Sequence, residues 1–246
     1  MQTTCIIIPC YNEAVRLDTT TFLSYAAGHP DVCFYFVDDG SRDDTPRILA
    51  ALSEACPVQI RFSSRRENEG KAQSVREGVA GALAWKPFDF IGFLDADLAT
   101  PLTEIRTLLA EFAVLPSLQM VFGSRYKTEE NAIRRNPWRH GFGRLYAGFV
   151  TSCLRLDVYD TQCGAKIMRA AVAEPLFRRP FIDRWLFDVE LFCRLRDIFP
   201  RTVVTREVAL GEWSEKGDSR IRTIDLLRLP VRTARIFLRY RSGTHN

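Results

Sequence analysis

From residue 4 to residue 122 the chain alternates between short apolar runs rich in β-branched residues and longer segments with helical spacing. Few architectures accept that rhythm. Thr4 to Pro9 reads as a strand, Ala14 to Ala27 as a helix ending at Gly28, and Val32 to Val37 as a second strand. Asp43 to Ala55 reads as a helix, with Asp43 or Asp44 near its start and Pro57 past its end. Val58 to Phe62 follows as a strand, Glu69 to Trp85 as a helix, Phe88 to Leu94 as a strand, Pro101 to Leu115 as a helix and Met120 to Phe122 as a strand. Strands separated by helices need crossover connections. The predicted fold class is therefore α/β, a mostly parallel central sheet with helices on both faces. In such open sheets ligands bind at the carboxyl ends of the strands.

Polar motifs stand at those ends. Phe93-Leu94-Asp95-Ala96-Asp97 sets two carboxylates one residue apart after an apolar run. Mg²⁺ is usually held by one or two carboxylates plus substrate phosphates, so the pair points to a metal–diphosphate complex. The plainer alternative is a polar turn with Asp97 as a helix cap. The first strand runs into Pro9-Cys10-Tyr11-Asn12-Glu13, which could cradle a base and ribose, or form an ordinary loop capped by Asn12. The second ends in Asp38-Asp39-Gly40-Ser41, where a carboxylate can accept from a base N–H or ribose hydroxyls, or where Asp-Gly simply turns. Lys71 follows Asn68-Glu69-Gly70 at a helix start and can meet a diphosphate there, or remain a solvated lysine. The glycine fingerprints of dinucleotide oxidoreductases and P-loop NTPases are missing.

Composition narrows the classes further. The seven cysteines (5, 10, 33, 56, 153, 163, 193) are odd in number and form no C-x-x-C pair, so they read as reduced thiols in a reducing compartment. The three histidines (29, 140, 245) are scattered, which argues against zinc. Met1 to Thr4 carry no basic leader, and no stretch reaches the roughly 20 apolar residues that span a bilayer. The expectation is a cytoplasmic chain, soluble or peripheral on the cytoplasmic face of a membrane, with neither signal peptide nor transmembrane helix. At 246 residues it reads as one domain, with residues 1–124 as a donor-binding nucleotide fold and 125–246 as an acceptor-binding half. After residue 124 the pattern loosens into a basic loop, a long amphipathic segment, a hairpin-like stretch and a helix.

The ordered set Pro9-x-Tyr11-Asn12-Glu13, Asp38-Asp39-Gly40-Ser41, Asn68-x-Gly70-Lys71, Asp95-x-Asp97 and Gly123-Ser124-Arg125 resembles family 2 glycosyltransferases of the GT-A fold. Asp160-Thr161-Gln162-Cys163-Gly164-Ala165-Lys166, Arg184-Trp185-x-Phe187-Asp188-Val189-Glu190-Leu191 and Glu212-Trp213-x-Glu215-x-x-x-Ser219 resemble its dolichyl-phosphate β-glucosyltransferases, which use UDP-glucose; the GDP-mannose-using relatives match Asp160 to Gly164 less well. The resemblance implies an inverting hexosyltransferase. Pro9, Tyr11, Asn12, Glu13, Asp38 and Asp39 would bind the nucleoside. Asp95, Ala96 and Asp97, with Lys71, would meet the diphosphate, and Asp95 and Asp97 would hold Mg²⁺ or Mn²⁺. Gln162 and Lys166 would contact the donor sugar or its phosphates. Eukaryotic members carry an N-terminal membrane anchor, and the expectation for this chain is that it has none.

The implied acceptor is a polyprenyl (dolichyl-type) phosphate. Such a phosphate is mostly dianionic at neutral pH, with a second pKa of about 6, and needs no strong base. It does need cations, and Arg125, Arg135 and Arg139 are the candidates. Two segments join arginines to apolar stripes. Between Arg134 and Leu156, Trp138, Phe142, Leu145, Phe149, Cys153 and Leu156 recur at helical spacing. Near the C-terminus, Leu227, Val231, Ala234 and Leu238 form one stripe beside Arg228, Arg232, Arg235 and Arg239, with Pro230 expected to break or kink the helix. Basic amphipathic helices of this kind lie in membrane interfaces or pack on a core. Aliphatic interleaving argues against nucleic acid as the partner. A saccharide or glycolipid hydroxyl is the alternative acceptor. It would need a base, with Asp188 and Glu190 as the carboxylates to hand, and ion pairing to Arg184 or Lys166 as the competing role of Asp188. Trp213 would floor the sugar subsite or fill core, and Trp213, Glu215 and Ser219 would belong to a loop that closes over the site. A non-catalytic, membrane-surface binder of nucleotide-sugars is the remaining alternative, weakened by the intact Asp95 and Asp97.

Overall fold

The computed structural model describes residues 2–128, 131–134, 148, 158–199, 204–216 and 223–240. Seven strands form one sheet in the order β3-β2-β1-β4-β7-β5-β8. They are β1 (Thr4–Cys10), β2 (Val32–Asp38), β3 (Ile60–Ser64), β4 (Phe90–Phe93), β5 (Leu118–Ser124), β7 (Lys166–Arg169) and β8 (Val204–Ala209). All neighbours run parallel except β7, which is antiparallel to both β4 and β5. A two-stranded parallel sheet joins β6 (Ala132–Arg134) to β9 (Glu212–Ser214). The expected hairpin-like stretch is thus not one: β8 and β9, adjacent in sequence, go to different sheets. The main sheet takes strands from both sequence halves, since β7 inserts between β4 and β5.

Two-sided burial explains why β1 is apolar almost throughout. Ile6, Ile8 and Cys10 point to one core, and Cys5 and Ile7 to the other. The first core is closed by α1 (Thr19–Gly28), α2 (Thr45–Ala55) and α4 (Glu104–Val114), through Phe22, Tyr25, Leu49, Leu52, Ile105 and Leu108. The second is closed by α3 (Lys71–Trp85), α5 (Ala170–Phe177) and α6 (Phe187–Ile198), through Val75, Val79, Val172, Leu176, Leu191 and Phe192. A last helix, α7 (Thr223–Tyr240), lies on the outer side of α6. There Leu229, Ile236 and Tyr240 pack with Leu186, Val189 and Cys193.

Several boundaries differ from the sequence expectation for local reasons. Helix α1 begins at Thr19, not Ala14, because Asp18 caps it by accepting from Thr21 N at 3.0 Å, while Ala14–Leu17 turn back on the Glu13 carbonyl. Helix α3 begins at Lys71, not Glu69. The Asp39 carboxylate draws the Glu69 and Gly70 N–H groups out of helical geometry, and Gly70 sits at φ +95. Strand β3 starts at Ile60 because the chain before it is turned, with Gln59 N and Ile60 N both donating to the Cys56 carbonyl. In α7 the buried face is Leu229, Thr233, Ile236 and Tyr240, while Val231, Ala234 and Leu238 of the expected stripe are exposed and the Leu227 side chain lies outside the described residues. Val231 and Leu238 instead face outward, 59% and 60% exposed, beside the exposed Arg235 and Arg239. Pro230 does not break the helix, which continues to Tyr240. The Arg134–Leu156 segment, bar isolated residues, lies outside the described residues, as do Arg135, Arg139, Gly217 and Ser219. Among the described residues no helix is long and apolar enough to cross a membrane.

Candidate active site

The chain passes from β1 outward to β2 and β3, then returns to place β4 on the other flank of β1. The strand order therefore reverses between β1 and β4, where an open α/β sheet leaves a crevice at its carboxyl end. In register, Cys10 lies beside Asp38, and Ile7 beside Phe93. The segments that follow these strands, Tyr11–Glu13, Asp39–Ser41 and Asp95–Asp97, consequently share one rim.

On the β1–β2 side the polar groups lock the loops together. Asn12, in the left-handed region at φ 49, donates its N–H to Ser41 Oγ and accepts Arg42 N at its Oδ1, both at 2.8 Å. Glu13 is buried and receives both Nε and Nη2 of Arg16 at 2.9 and 2.8 Å. Asp38 accepts from Ser41 N at 3.1 Å and from Ser64 Oγ at 2.6 Å. Asp39 accepts from Glu69 N, Gly70 N and Arg65 Nη1 at 2.9, 2.7 and 3.3 Å. Burial nevertheless raises the Asp39 pKa above the ordinary aspartate value. Pro9 and Tyr11 are half-buried on the same rim.

Asp95 and Asp97 follow β4 in a turn that holds Leu98 at φ 53, a strained conformation for a leucine. Lys71 Nζ donates to Asp95 Oδ1. The surrounding protein disfavours charge on Asp95, but Lys71, with Arg125 and Lys166 nearby, outweighs this and holds its pKa below the usual range. Asp97 is shifted the other way, upward, by burial and then by the charge of Asp95. Its Oδ1 accepts from Ala99 N at 3.0 Å. Ala96 is buried between the two. Gly164 presses against this turn so closely that a Cβ there would lie 2.2 Å from Asp95 Oδ2. Two hard carboxylates in a rigid turn, one facing cations and one shifted upward by burial and by its neighbour's charge, fit a divalent cation that completes its shell with phosphate oxygens. Among the described residues no cluster of three or more His, Cys, Asp or Glu side chains could hold a metal without substrate.

The second half supplies the opposite wall. Arg125 grips Asp160 through Nε and Nη2 at 2.7 and 2.8 Å, and its guanidinium lies 5.5 Å from the Trp213 ring centre. Burial opposes the charge on Asp160, yet Arg125 brings its pKa down to about 2. Glu207 in turn accepts the Tyr159 and Asp160 N–H groups at 2.8 Å each. Strand β9 is stitched to the turn beyond Asp97, with Ser214 N bonded to Ala99 O at 3.0 Å. Lys166 is fully buried, and donates to Asp188 Oδ1 at 2.7 Å and to the Cys163 carbonyl at 2.5 Å. Gln162 and Glu215 are exposed.

Glu190 is removed from the rim. It accepts from Arg194, Ile182 N and Tyr240 Oη deep beneath α7, so it is no base for a substrate. Arg184, assigned only a pairing role from sequence, is exposed and ties α6's approach to the loop before α3 by donating to the Asn68 and Glu69 carbonyls. Asp160 and Glu207 were not predicted as site residues. The Asp160-to-Lys166 motif flagged the first, and nothing local flags the second.

Residues 5–177 match the glycosyl transferase family 2 model. Dolichyl-phosphate beta-glucosyltransferase ALG5C of Trichomonas vaginalis is 29% identical over 252 residues, covering 98% of this chain and 72% of that protein. Dolichyl-phosphate beta-glucosyltransferase of Drosophila melanogaster is 31% identical, covering 88% and 68%. Among solved structures, glucosyl-3-phosphoglycerate synthase from Mycobacterium tuberculosis in complex with Mn²⁺, UDP-glucose and phosphoglyceric acid superposes with a TM-score of 0.68 at 18% identity, over 100% of this chain and 81% of that one. That likeness is one of fold, and the fold is GT-A.

Proposed function

The chain belongs to glycosyl transferase family 2 and is a hexosyltransferase, and from that premise we propose that it moves glucose from UDP-glucose onto a polyprenyl phosphate with inversion. The observation that carries the acceptor is the buried Lys166–Asp188 pair. A hydroxyl acceptor needs a carboxylate free to take its proton. The carboxylate expected in that role is committed to a lysine, whereas a phosphate acceptor arrives already ionised. Whole-chain similarity to dolichyl-phosphate glucosyltransferases supports the same choice.

In this reading the Asp38 and Asp39 turn, with Pro9, Tyr11, Asn12 and Glu13, receives the nucleoside. Asp95 and Asp97 hold Mg²⁺ or Mn²⁺. A divalent cation held there supplies Lewis-acid neutralisation of the departing diphosphate. Arg125, kept cationic and oriented by Asp160, faces the anomeric side with Trp213, and we assign it to the acceptor phosphate. Lys166 acts through Asp188 rather than on the donor, and residues 125–246 form the acceptor side of a single domain. Placement of two anions around one sugar carbon then does most of the work.

The outward Val231/Leu238 stripe with Arg235 and Arg239 supports attachment to the cytoplasmic face of an anionic membrane, where such acceptors reside. The test is nucleotide release by the purified protein. UDP-glucose and GDP-mannose are compared with Mg²⁺ or Mn²⁺, with and without polyprenyl phosphate in detergent. The expected result is metal-dependent UDP release that requires the lipid and is lost in Asp97→Ala. Slow release indifferent to the lipid sinks the lipid-phosphate reading.

A further inference from the structure

Lys71 is bonded to the very carboxylate that the proposed function reserves for a divalent cation. Resting on that reading, we propose that Lys71 is the built-in counter-ion of the free enzyme, keeping the cation out of Asp95 until a nucleotide diphosphate draws the lysine away. Three cations face Asp95, and they are not equivalent. Arg125 is gripped by Asp160, and Lys166 by Asp188. Lys71 alone of the three makes its direct carboxylate contact with Asp95.

The surroundings restrict how that contact can be exchanged. Gly164 blocks retreat of Asp95, since a Cβ there would be 2.2 Å from Asp95 Oδ2 and the glycine backbone lies just behind. The root of Lys71 is pinned as well. Gly70 N is held by Asp39, and Ala72 N donates to the Arg184 carbonyl at 3.2 Å. The movable part is therefore the lysine head group, which has three protons to donate and stands at the start of α3, where an arriving diphosphate is also attracted.

Without nucleotide, the cation must displace an ammonium to gain two carboxylates, and only water completes its shell. With nucleotide, the diphosphate offers oxygens to the cation and a new partner to Lys71. Each ligand then lowers the cost of binding the other, which is positive coupling carried by one side chain.

The experiment titrates Mn²⁺ alone into the purified protein, followed by the loss of the free-ion paramagnetic resonance signal, and repeats it with UDP. Wild type is expected to bind Mn²⁺ weakly alone and much more tightly with UDP. Lys71→Met is expected to bind Mn²⁺ alone about tenfold more tightly than wild type, and to gain less from UDP. Lys71→Gln, which keeps a polar head, should follow the same order, and both must retain the wild-type circular dichroism. Equal Mn²⁺ affinities without UDP, with the gain from UDP unchanged, would overturn the counter-ion role and leave the cation site standing. Absence of Mn²⁺ binding by any of the proteins even with UDP would instead overturn the cation site itself.

Discussion

The two walls of the crevice hold their carboxylates by different means. On the β1–β2 wall, Asp38 and Asp39 are fixed mainly by neutral donors, the N–H groups of Ser41, Glu69 and Gly70 and the Ser64 hydroxyl. On the opposite wall Asp160 and Asp188 are each clasped by a largely buried cation, Arg125 and Lys166. Neutral donors fix a carboxylate without cancelling its charge, which suits a surface meant to accept from a ligand. A buried ion pair cancels the charge and specifies geometry more than it stabilises. Asp95 sits between the walls and borrows from both, charged yet paired through Lys71.

The comparison is broken most severely at the carboxylate pair. Asp97→Ala is expected to lower glucosyl transfer about a thousandfold or more. It should leave the melting temperature almost unchanged, because Asp97 makes a single local bond to Ala99 N. The clasped wall should behave in the opposite way. Asp188→Asn strands a fully buried lysine, and breaking such a pair costs about 3–5 kcal/mol. For a chain of this size that is a fall of roughly 10 °C in melting temperature. The double change Lys166→Met, Asp188→Leu should recover most of the loss, since apolar replacement of a buried pair is often close to neutral. If transfer to polyprenyl phosphate recovers with it, Asp188 is scaffold; a stable double variant that remains inactive makes it the base.

The same contrast explains how much the sequence disclosed. The β1–β2 wall was legible because each motif follows its strand within a few residues, and crossover topology alone brings strand ends together. The clasped wall depends on long-range partners. Asp160 finds Arg125 35 residues away, and Glu207 finds Asp160 across 47. Strand β7 also enters antiparallel between β4 and β5, an insertion that no local period announces. In α7 the arginines and one apolar stripe were legible, but the face that is buried was not. Leu227/Val231/Ala234/Leu238 has the more regular apolar spacing, while the core takes Leu229, Thr233, Ile236 and Tyr240, because Tyr240 Oη bonds Glu190 and Thr233 Oγ1 bonds the Leu229 carbonyl.

That outward stripe gives a smaller effect that leaves both walls intact. Val231→Glu with Leu238→Glu should change the melting temperature by no more than about 1 °C, because both side chains are largely in water already. Binding to vesicles containing anionic lipid should weaken about tenfold, from lost apolar insertion and added negative charge. Unchanged sedimentation with vesicles would remove α7 from the membrane contact. At the joint between the walls, Gly70→Ala forces an alanine to φ +95 and sets its Cβ 3.0 Å from Arg184 Cβ and Nε. A cost of about 1–3 kcal/mol is expected. The donor KM should rise severalfold with kcat nearly unchanged, because the displaced loop is the one that Asp39 and Arg184 hold in place.

The smallest effect concerns protons, and it separates the walls without a mutation. Asp160, with its pKa at about 2, stays ionised throughout any practical assay range. Asp97 is shifted upward by burial and by Asp95, so it takes up a proton at higher pH than an ordinary aspartate does. A protonated Asp97 cannot hold a cation, so kcat/KM should fall as the pH drops through a limb above the usual aspartate range. Proton and cation compete for the same oxygens. Raising Mg²⁺ tenfold should therefore move the limb to lower pH, by up to about one unit if competition is complete. Measurement of kcat/KM against pH at two Mg²⁺ concentrations decides the point. A limb that moves belongs to the carboxylate pair. A limb that stays fixed belongs to a group whose proton does not compete with the cation, and Asp39, raised by burial on the neutral-donor wall, is then the residue to replace first.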